Sequence, residues 1–515
     1  MIRRIFVCTL AVLALTGAYA SDTPTLEQRV IEHTFSNGIK LLVLERHFSP
    51  TVSIRMMFRT GSVDEVSGKT GLAHMFEHMM FKGTKTLGTR DYAKELPLLK
   101  QIDGLHQQLD QEKSKGALTD PNRVSTLLEK VRAVEAQAAP LVVENELWNL
   151  YEREGASELN AGTSRDFTQY VVDLPSNKLE LWAILDSDRV RNPVFRQFYQ
   201  ERDVVQEERR MRVETAPEGK LYEEFLSTAY TAHPYRHPTI GWDSDISHLT
   251  VADLEDFYRR YYTPDHLTIA VVGDVTADQV IRLVDRYFGS WRVPPAPASN
   301  ITQEPPQTGL KEFKIRFDAQ PHLLMGFHIP GTSEPERVTY YAIAQLLGSG
   351  TSSRFYKILV EKKKLASAVD VSEDDPGERY DPLLTIAAAP RHPHTAQDVV
   401  EAIWKELDRL KNEPVQEWEL EKLRAGVDVM LLNALQTNDG MAGTLVYDQT
   451  IFGDWRTLLR FQKLIHGLTP QAIQAAAKKS LTRENETLGI LESVKKQCDT
   501  SRHPRRSLAG DPSCR

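Results

Sequence analysis

A proline-rich segment near the middle of the chain separates two halves that repeat one order of predicted elements. Residues 293–309 combine five prolines with polar residues, which predicts a linker between domains. Before it, strand-like runs at 40–44 and 52–58 lead to a helix, and after it runs at 312–317 and 322–327 do the same. Because 515 residues are too many for a single core, two domains of related design are expected.

The two halves also end alike. Thr250 is the expected N-cap of a helix that precedes a strand at 267–272, and Thr469 is the expected N-cap of a helix that precedes a strand at 487–491. We therefore predict an α+β fold of two homologous domains, each an antiparallel-rich sheet packed on helices.

One segment of the first half has no counterpart in the second. Between residues 91 and 152, leucines and valines recur at helical spacing in two runs, which a turn at 115–121 separates. This pattern predicts a helical hairpin inserted into the first domain. A solvent-exposed arm without chemistry and a lid or partner-binding element both fit the pattern.

The chemistry of the first half centres on residues 74–78, which read His-Met-Phe-Glu-His. On a helix His74 and His78 lie about 400° apart in rotation, so both imidazoles leave the same face and can share one metal ion. Glu77 lies beside them, where a carboxylate can accept a proton from a zinc-activated water molecule. Two histidines that simply line a buried helix are the alternative. The apolar neighbours favour a metal, because buried imidazoles need partners.

A catalytic zinc site needs a third protein ligand and an open position for water. The best candidate stretch is residues 201–210, a predicted helix dense in carboxylates. Glu201 and Glu208 lie about 700° apart in rotation, so they face the same way, whereas Glu207 points elsewhere. A solvated helix with internal ion pairs is the alternative for this stretch.

The N-terminus predicts export from the cytoplasm. Arg3 and Arg4 precede an apolar run at 5–15, and Ala-Tyr-Ala at 18–20 matches a signal-peptidase site. Residues 1–20 are therefore expected to be a signal peptide, and the protein to be periplasmic or secreted. The run is shorter than the ~20 residues of a membrane-spanning helix, so no stable membrane span is expected after cleavage.

Charge and cysteine content exclude some classes of protein. The formal net charge of −8 falls by two when Arg3 and Arg4 are removed, which leaves no basic field for nucleic acid. Cys498 and Cys514 lie in a polar tail at 495–515, where an exported protein can oxidise them to a disulfide. Neither cysteine is near a motif, so neither is a candidate ligand.

Several motifs in order resemble the insulinase/pitrilysin-type zinc proteases, the H-x-x-E-H inverzincin family that includes mitochondrial processing peptidase and its smaller bacterial relatives. The resemblance covers about residues 27–492. Its motifs lie at residues 36–39, 61–65, 71–84, 160–164 with Tyr170, 201–208 and 233–241.

This resemblance implies a role for each matching residue. His74, His78 and Glu208 would bind Zn²⁺, and Glu77 would be the catalytic base. Glu201 would hydrogen-bond a ligand imidazole and fix its orientation. Asn160, on a strand in the family, would contact the backbone of an extended peptide substrate, which pairs with the edge of that strand.

Two features depart from the family pattern. The interval between His78 and Glu208 is longer than usual, and the hairpin at 91–152 accounts for the excess. In the second half, Val360 and Ser367 stand where relatives carry an Arg and a Tyr that hold the substrate carbonyl. Removing one donor to a developing oxyanion costs about 2.7–4 kcal/mol. We therefore predict a homologous partner subunit that supplies this pair in a heterodimer, with a homodimer as the alternative assembly.

Together these features predict an exported zinc metalloendopeptidase that cleaves peptides or unfolded polypeptide segments. The zinc-binding peptidase domain is expected at residues 25–292, and a homologous domain without the zinc motif at 310–494. The alternative is a non-catalytic structural or binding subunit of a heteromer of this family. The intact set His74, Glu77, His78 and Glu208 argues against that alternative.

Overall fold

The computed structural model describes residues 25–298, 300–331 and 333–494. The predicted signal peptide, Cys498 and Cys514 lie outside these residues. The helices are α1 Leu26–Arg29, α2 Leu72–Met79, α3 Tyr92–Lys113, α4 Pro121–Ala138, α5 Glu146–Arg153, α6 Leu179–Arg191, α7 Phe198–Arg209, α8 Pro217–Ala229, α9 Asp243–Ile246, α10 Val251–Tyr261, α11 Ala277–Phe288, α12 Glu334–Gly348, α13 Ala396–Asn412, α14 Glu417–Gln436, α15 Asn438–Phe452, α16 Thr457–His466 and α17 Pro470–Ser480. None of the helices in this described part combines the length and apolar character that crossing a membrane requires.

The strands are β1 Val30–Thr34, β2 Lys40–Glu45, β3 Thr51–Phe58, β4 Ser157–Thr163, β5 Thr168–Pro175, β6 Leu267–Gly273, β7 Lys311–Phe317, β8 His322–His328, β9 Ala366–Asp375, β10 Leu383–Pro390 and β11 Glu486–Ser493. They form two sheets with the orders β1-β2-β6-β3-β5-β4 and β7-β11-β8-β10-β9.

The two sheets have the same topology once β1 is set aside. In the first, β2 and β6 are parallel neighbours, and the remaining pairs are antiparallel. In the second, β7 and β11 are the parallel pair, and the remaining pairs are again antiparallel. Strand order and direction therefore match strand by strand. The predicted α+β fold of two homologous, antiparallel-rich domains is confirmed.

Each sheet is covered on one face by a helix from the other half of the chain. Helix α15 packs on β3 and β6, and α8 packs on β7, β8 and β11. The buried side chains at the first of these contacts are Leu42, Leu44, Met57, Ala270 and Val272 from the sheet, with Met441, Leu445 and Val446 from α15. Strand β6 is buried on both faces, which fits the almost entirely apolar sequence of residues 267–273. The exchange of helices joins the two halves through apolar cores.

Helices α3 and α4 form the predicted antiparallel hairpin. Leu105 and Leu109 of α3 are buried against Leu127, Val131 and Val134 of α4. Leu96 and Leu99, which belong to the first of the two predicted helical runs, do not join this small core. They instead line a cavity of about 500 Å³ between the hairpin and the rest of the first half.

Between Phe288 and Lys311 the described residues form neither helix nor strand. This segment is nevertheless anchored, because the carboxylate of Glu304 accepts hydrogen bonds from the backbone N–H groups of Thr231, Ala232 and His233 at 2.7, 2.8 and 2.9 Å. The proline-rich connection is therefore fastened to the first half.

Candidate metal centre

Helix α2, which carries the H-x-x-E-H residues, is fixed at its start by a buried carboxylate. Glu65 accepts hydrogen bonds from the backbone N–H groups of Gly71 at 2.9 Å and Ala73 at 2.7 Å, and so satisfies N–H groups that a helix start leaves without partners. Gly71 has φ of 92°, and a Cβ there would lie 2.7 Å from the carbonyl oxygen of Ile240. This position therefore requires glycine, and the turn sets the direction in which α2 enters the domain.

The third candidate ligand comes from α7, which packs against α2. Buried arginines anchor α7: Arg202 donates to the carbonyl oxygen of Leu249 at 3.0 Å, and Arg209 donates to that of Gly241 at 2.8 Å. Glu201 and Glu208 both face α2. Glu207 instead pairs with Arg210 and is half exposed, as the rotation about the helix axis predicts.

His74, His78 and Glu208 each offer one ligand atom, and these atoms lie within 4.8 Å of one another. The Oε2 atom of Glu208 is 3.7 Å from His74 Nε2 and 3.5 Å from His78 Nε2. Tetrahedral bonds of about 2.0–2.2 Å would place donor atoms about 3.3–3.6 Å apart. The spacing therefore fits a zinc ion among the three side chains.

The protonation state of His74 suits a metal ligand. Burial lowers its pKa to about 3, and the neighbouring His78 adds to the shift, so the ring is neutral near pH 7. A neutral imidazole has the lone pair that a metal needs. Burial acts in the same direction on His78, but the hydrogen bond to Glu201 and the charges of neighbouring carboxylates outweigh it, so the pKa of His78 is instead raised. Two imidazoles and one carboxylate form a His₂Glu donor set, which is a known catalytic zinc set.

Glu201 orients the ring of His78 by contacting Nδ1, whereas Glu208 faces the other ring nitrogen, Nε2. His78 Nδ1 lies 2.8 Å from Glu201 Oε1, and Lys82 Nζ lies 2.6 Å from Oε2. Burial opposes ionisation, but these hydrogen bonds hold the pKa of Glu201 at about 2. An ionised Glu201 keeps the Nδ1 proton on His78 and turns Nε2 toward Glu208.

Glu77 lies on the same helix and is hydrogen-bonded from strand β4. Its Oε2 atom accepts a hydrogen bond from Thr163 Oγ1 at 2.6 Å. Burial raises the pKa of Glu77, and the Thr163 hydrogen bond partly opposes that rise. A carboxylate with a raised pKa beside a candidate metal centre has the properties of a general base.

Asn160 lies on the strand that ends at Thr163. Strand β4 is at the edge of its sheet, so its outer backbone groups have no neighbouring strand among the described residues. The side chain of Asn160 is exposed and accepts a hydrogen bond from the backbone N–H of Ala161 at 2.9 Å. Its location at a free edge suits contact with an extended chain.

Of the two departures in the second half, Val360 lies before β9 and Ser367 lies at the start of β9, the counterpart of β4. Val360 is half buried within a π-helical turn at Tyr356–Lys362. Ser367 is exposed and donates a hydrogen bond to the carbonyl oxygen of Ala389 at 3.3 Å. Neither position supplies a cation or a phenol.

Three residues at this site were not singled out from the sequence: Lys82, Thr163 and Arg212. Arg212 NH1 lies 2.8 Å from Glu208 Oε1, the oxygen that faces away from the histidines. Arg212 lies four residues after Glu208, so helical spacing could have identified it. Lys82 lies beyond the end of α2 and pairs with Glu201 of α7, so its contact does not follow from sequence spacing. Thr163 lies within the predicted motif at 160–164, but its contact with Glu77 depends on how β4 meets α2.

Two family models match the chain. One, described as "Insulinase (Peptidase family M16)", matches residues 41–100 and 128–243. The other, described as "Peptidase M16 inactive domain", matches residues 248–427. Together they match more than half of the chain. The first match is interrupted within the α3–α4 hairpin.

Individual proteins show the same similarity. Zinc protease PqqE of Helicobacter pylori is 27% identical over 445 residues, which cover 84% of this chain and 85% of that protein. The crystal structure of a protease from Helicobacter pylori has a TM-score of 0.75 and 24% identity, and covers 90% of this chain and 99% of that one. The periplasmic protease PqqL from Escherichia coli has a TM-score of 0.68 and 18% identity, over 91% of this chain and 48% of that one.

Proposed function

Since the chain belongs to the insulinase family of zinc metallopeptidases, peptidase family M16, we propose that it cleaves peptide bonds at a zinc centre formed by His74, His78 and Glu208. The observation that carries this proposal is the convergence of three ligand atoms from α2 and α7 within 4.8 Å. Glu77, on the same helix as both histidines, is the proposed base.

Zinc, when bound, acidifies a water molecule and polarises the scissile carbonyl. Glu77 accepts the proton that the water loses as its oxygen attacks the carbonyl carbon. The same carboxyl group then returns that proton to the nitrogen of the leaving amine when the C–N bond breaks, which restores Glu77 for the next turnover. Glu201 keeps the His78 ring oriented throughout, because its hydrogen bond to Nδ1 does not depend on the substrate.

The proposed substrate is a peptide or an unfolded segment of polypeptide. An extended chain can add to the free edge of β4, where main-chain hydrogen bonds provide affinity without a defined sequence. Asn160 is exposed on that strand and offers an amide to the substrate backbone.

We further propose that the protein is exported and acts with a homologous partner subunit. Residues 3–20 support export by their charge and apolar run, and the similar protease PqqL is described as periplasmic. Val360 and Ser367 support the need for a partner, because they leave the developing oxyanion without the Arg and Tyr of related enzymes. The unit that matches this chain is only 48% of PqqL, so in that protein it is joined to more polypeptide.

Metal analysis distinguishes this enzyme from a non-catalytic subunit. Purified protein is expected to hold about one zinc ion per chain, and a Glu208→Gln variant to lose it. Glu207→Gln is the matched control, since Glu207 is the next residue on α7 and pairs with Arg210 away from the site. Absence of zinc from the wild-type protein, or its retention in Glu208→Gln, would refute the proposed centre.

A further inference from the structure

We propose that Thr163 is a positioning residue that holds Glu77 in the orientation needed for proton transfer. This inference rests on the proposed function, because it assigns Thr163 a role that acts through the proposed base. It concerns a residue on the peptide-binding strand and not one of the metal ligands.

The hydroxyl group of Thr163 has one proton, and the surrounding geometry assigns it to Glu77. Thr163 Oγ1 lies 2.6 Å from Glu77 Oε2 and 3.5 Å from Thr168 Oγ1. The Thr168 hydroxyl donates its own proton to the carbonyl oxygen of Thr60 at 3.0 Å. A hydroxyl donates only once, and the short contact to a carboxylate is the stronger of the two, so Thr163 donates to Glu77.

Thr163 can act as a fixed point because the turn that follows it is held by both halves of the chain. The turn begins with Ser164, whose carbonyl oxygen accepts from the backbone N–H of Ser62 at 3.2 Å. Within the turn, the carboxylate of Asp166 accepts from the Tyr235 hydroxyl at 2.7 Å and from the backbone N–H of Arg379 at 3.1 Å. Arg379 comes from the second half. Thr163 therefore directly precedes a turn that hydrogen bonds from both halves of the chain hold in place.

The hydrogen bond divides the two oxygens of Glu77 between two tasks. Oε2 accepts from Thr163, so Oε1, which lacks this bond, is the oxygen that we assign to accept the proton from water. Without the hydroxyl, the carboxylate is free to rotate about its last side-chain bond, and the fraction of molecules with an oxygen directed at the water falls. Catalysis depends on such orientation more strongly than substrate binding does.

Substrate binding acts on the same strand. A peptide paired with β4 would lie along the strand that ends at Thr163, whose hydroxyl already contacts Glu77 in the absence of substrate. One short strand therefore carries both the proposed peptide-binding edge and the hydroxyl that orients the proposed base.

Three variants of the full-length protein test the proposal. Thr163→Val removes the hydroxyl and keeps the shape, and is expected to lower kcat about 10- to 100-fold with KM and zinc content unchanged, as loss of a hydrogen bond to a charged group predicts. Thr163→Ser keeps the hydroxyl and is expected to stay within about threefold of wild type. Thr444→Val, which removes a hydroxyl from α15 far from the motif in sequence, is the control for loss of a threonine hydroxyl.

A double-mutant cycle separates positioning from a general structural effect. If Thr163 acts through Glu77, adding Thr163→Val to a Glu77→Gln variant causes little further loss of the residual activity. An unchanged kcat in Thr163→Val, a full additional loss in the double variant, or failure of Thr163→Ser to restore activity would overturn the proposal. Failure of the underlying function has a different signature, since the wild-type protein would then lack zinc or hydrolytic activity.

Discussion

His78 Nδ1 lies 2.8 Å from Glu201 Oε1, while Nε2 of the same ring faces Glu208 Oε2 at 3.5 Å. One imidazole thus connects two carboxylates of α7 that are seven residues apart. Because an ionised carboxylate can only accept, Nδ1 carries the proton, and in the neutral ring Nε2 presents the lone pair. The spacing of Glu201 and Glu208 on one helix therefore sets which nitrogen of His78 is available to a metal.

The first prediction concerns Glu201. Glu201→Gln removes the negative charge that holds the His78 proton and pairs with Lys82, so zinc affinity is expected to fall about 10- to 100-fold. Competition with a chelator measures this affinity, and Glu207→Gln provides the control on the same helix. Equal affinities in wild type and Glu201→Gln would contradict the role given to Glu201.

The second prediction concerns the partner subunit. The purified chain alone is expected to cleave peptides slowly, because Val360 and Ser367 cannot stabilise the oxyanion. Adding a homologous subunit that carries the Arg/Tyr pair and lacks the zinc motif is expected to raise kcat by about 10²–10³-fold. Full activity from the chain alone would show that no partner is needed.

Sequence patterns were sufficient for the features that depend on local periodicity. They predicted the repeated element order, the threonine N-caps and the hairpin, because each depends on residues close together in the chain. The relative rotation of Glu201, Glu207 and Glu208 also followed from helix geometry. The proposed roles of the site residues remain predictions.

Other features depend on contacts between distant segments, which periodicity does not encode. The exchange of α8 and α15 between the two sheets is one example, since the periodicity of a helix does not specify the sheet on which it packs. Leu96 and Leu99 are another, because their spacing does not reveal whether they face α4 or a cavity. The contact between Thr163 and Glu77 joins residues 86 positions apart.

The third prediction concerns the contact between the halves beside the site. Arg379 of the second half donates to Asp64 of the first at 3.0 Å, and both side chains are almost fully buried. Arg379→Met leaves Asp64 as a buried charge without this partner, so the free energy of unfolding is expected to fall by about 3–5 kcal/mol. Chemical denaturation measures the change.

A surface pair provides the comparison. Arg286 and Glu180 lie 3.1 Å apart and are more than half exposed, so Arg286→Met is expected to change the unfolding free energy by less than about 1 kcal/mol. Equal decreases in unfolding free energy for Arg379→Met and Arg286→Met would show that the buried pair stabilises the fold no more than the surface pair does.

The fourth prediction concerns pH. Glu373, Glu378 and Asp448 line a cavity of about 300 Å³ in the second half. Burial, then repulsion from neighbouring carboxylates, raises the pKa of Glu373 to about 8, while burial raises those of Glu378 and Asp448 to about 7. These groups hold protons in the folded state that the unfolded chain has released, so their contribution to stability is lost as the pH rises toward 8.

Glu373→Gln isolates this effect, because an amide cannot ionise. Wild type is expected to lose stability from pH 6 to pH 9 as Glu373 ionises, and the variant is not. The unfolding free energy of the variant minus that of wild type should therefore increase by about 1–3 kcal/mol over this range. Denaturant unfolding at these two pH values measures the difference. A constant difference between the two proteins across that range would show that Glu373 titrates normally.

The fifth prediction concerns Glu77, the proposed base beside a zinc ion held by His74, His78 and Glu208. Glu77→Gln removes the base and leaves every ligand in place, so the variant should keep its zinc but lose peptide hydrolysis. The most direct test measures both in one preparation of this variant. We expect about one zinc ion per chain, with kcat lowered by about 10²–10⁴-fold. Wild-type turnover in zinc-loaded Glu77→Gln would contradict the role proposed for Glu77.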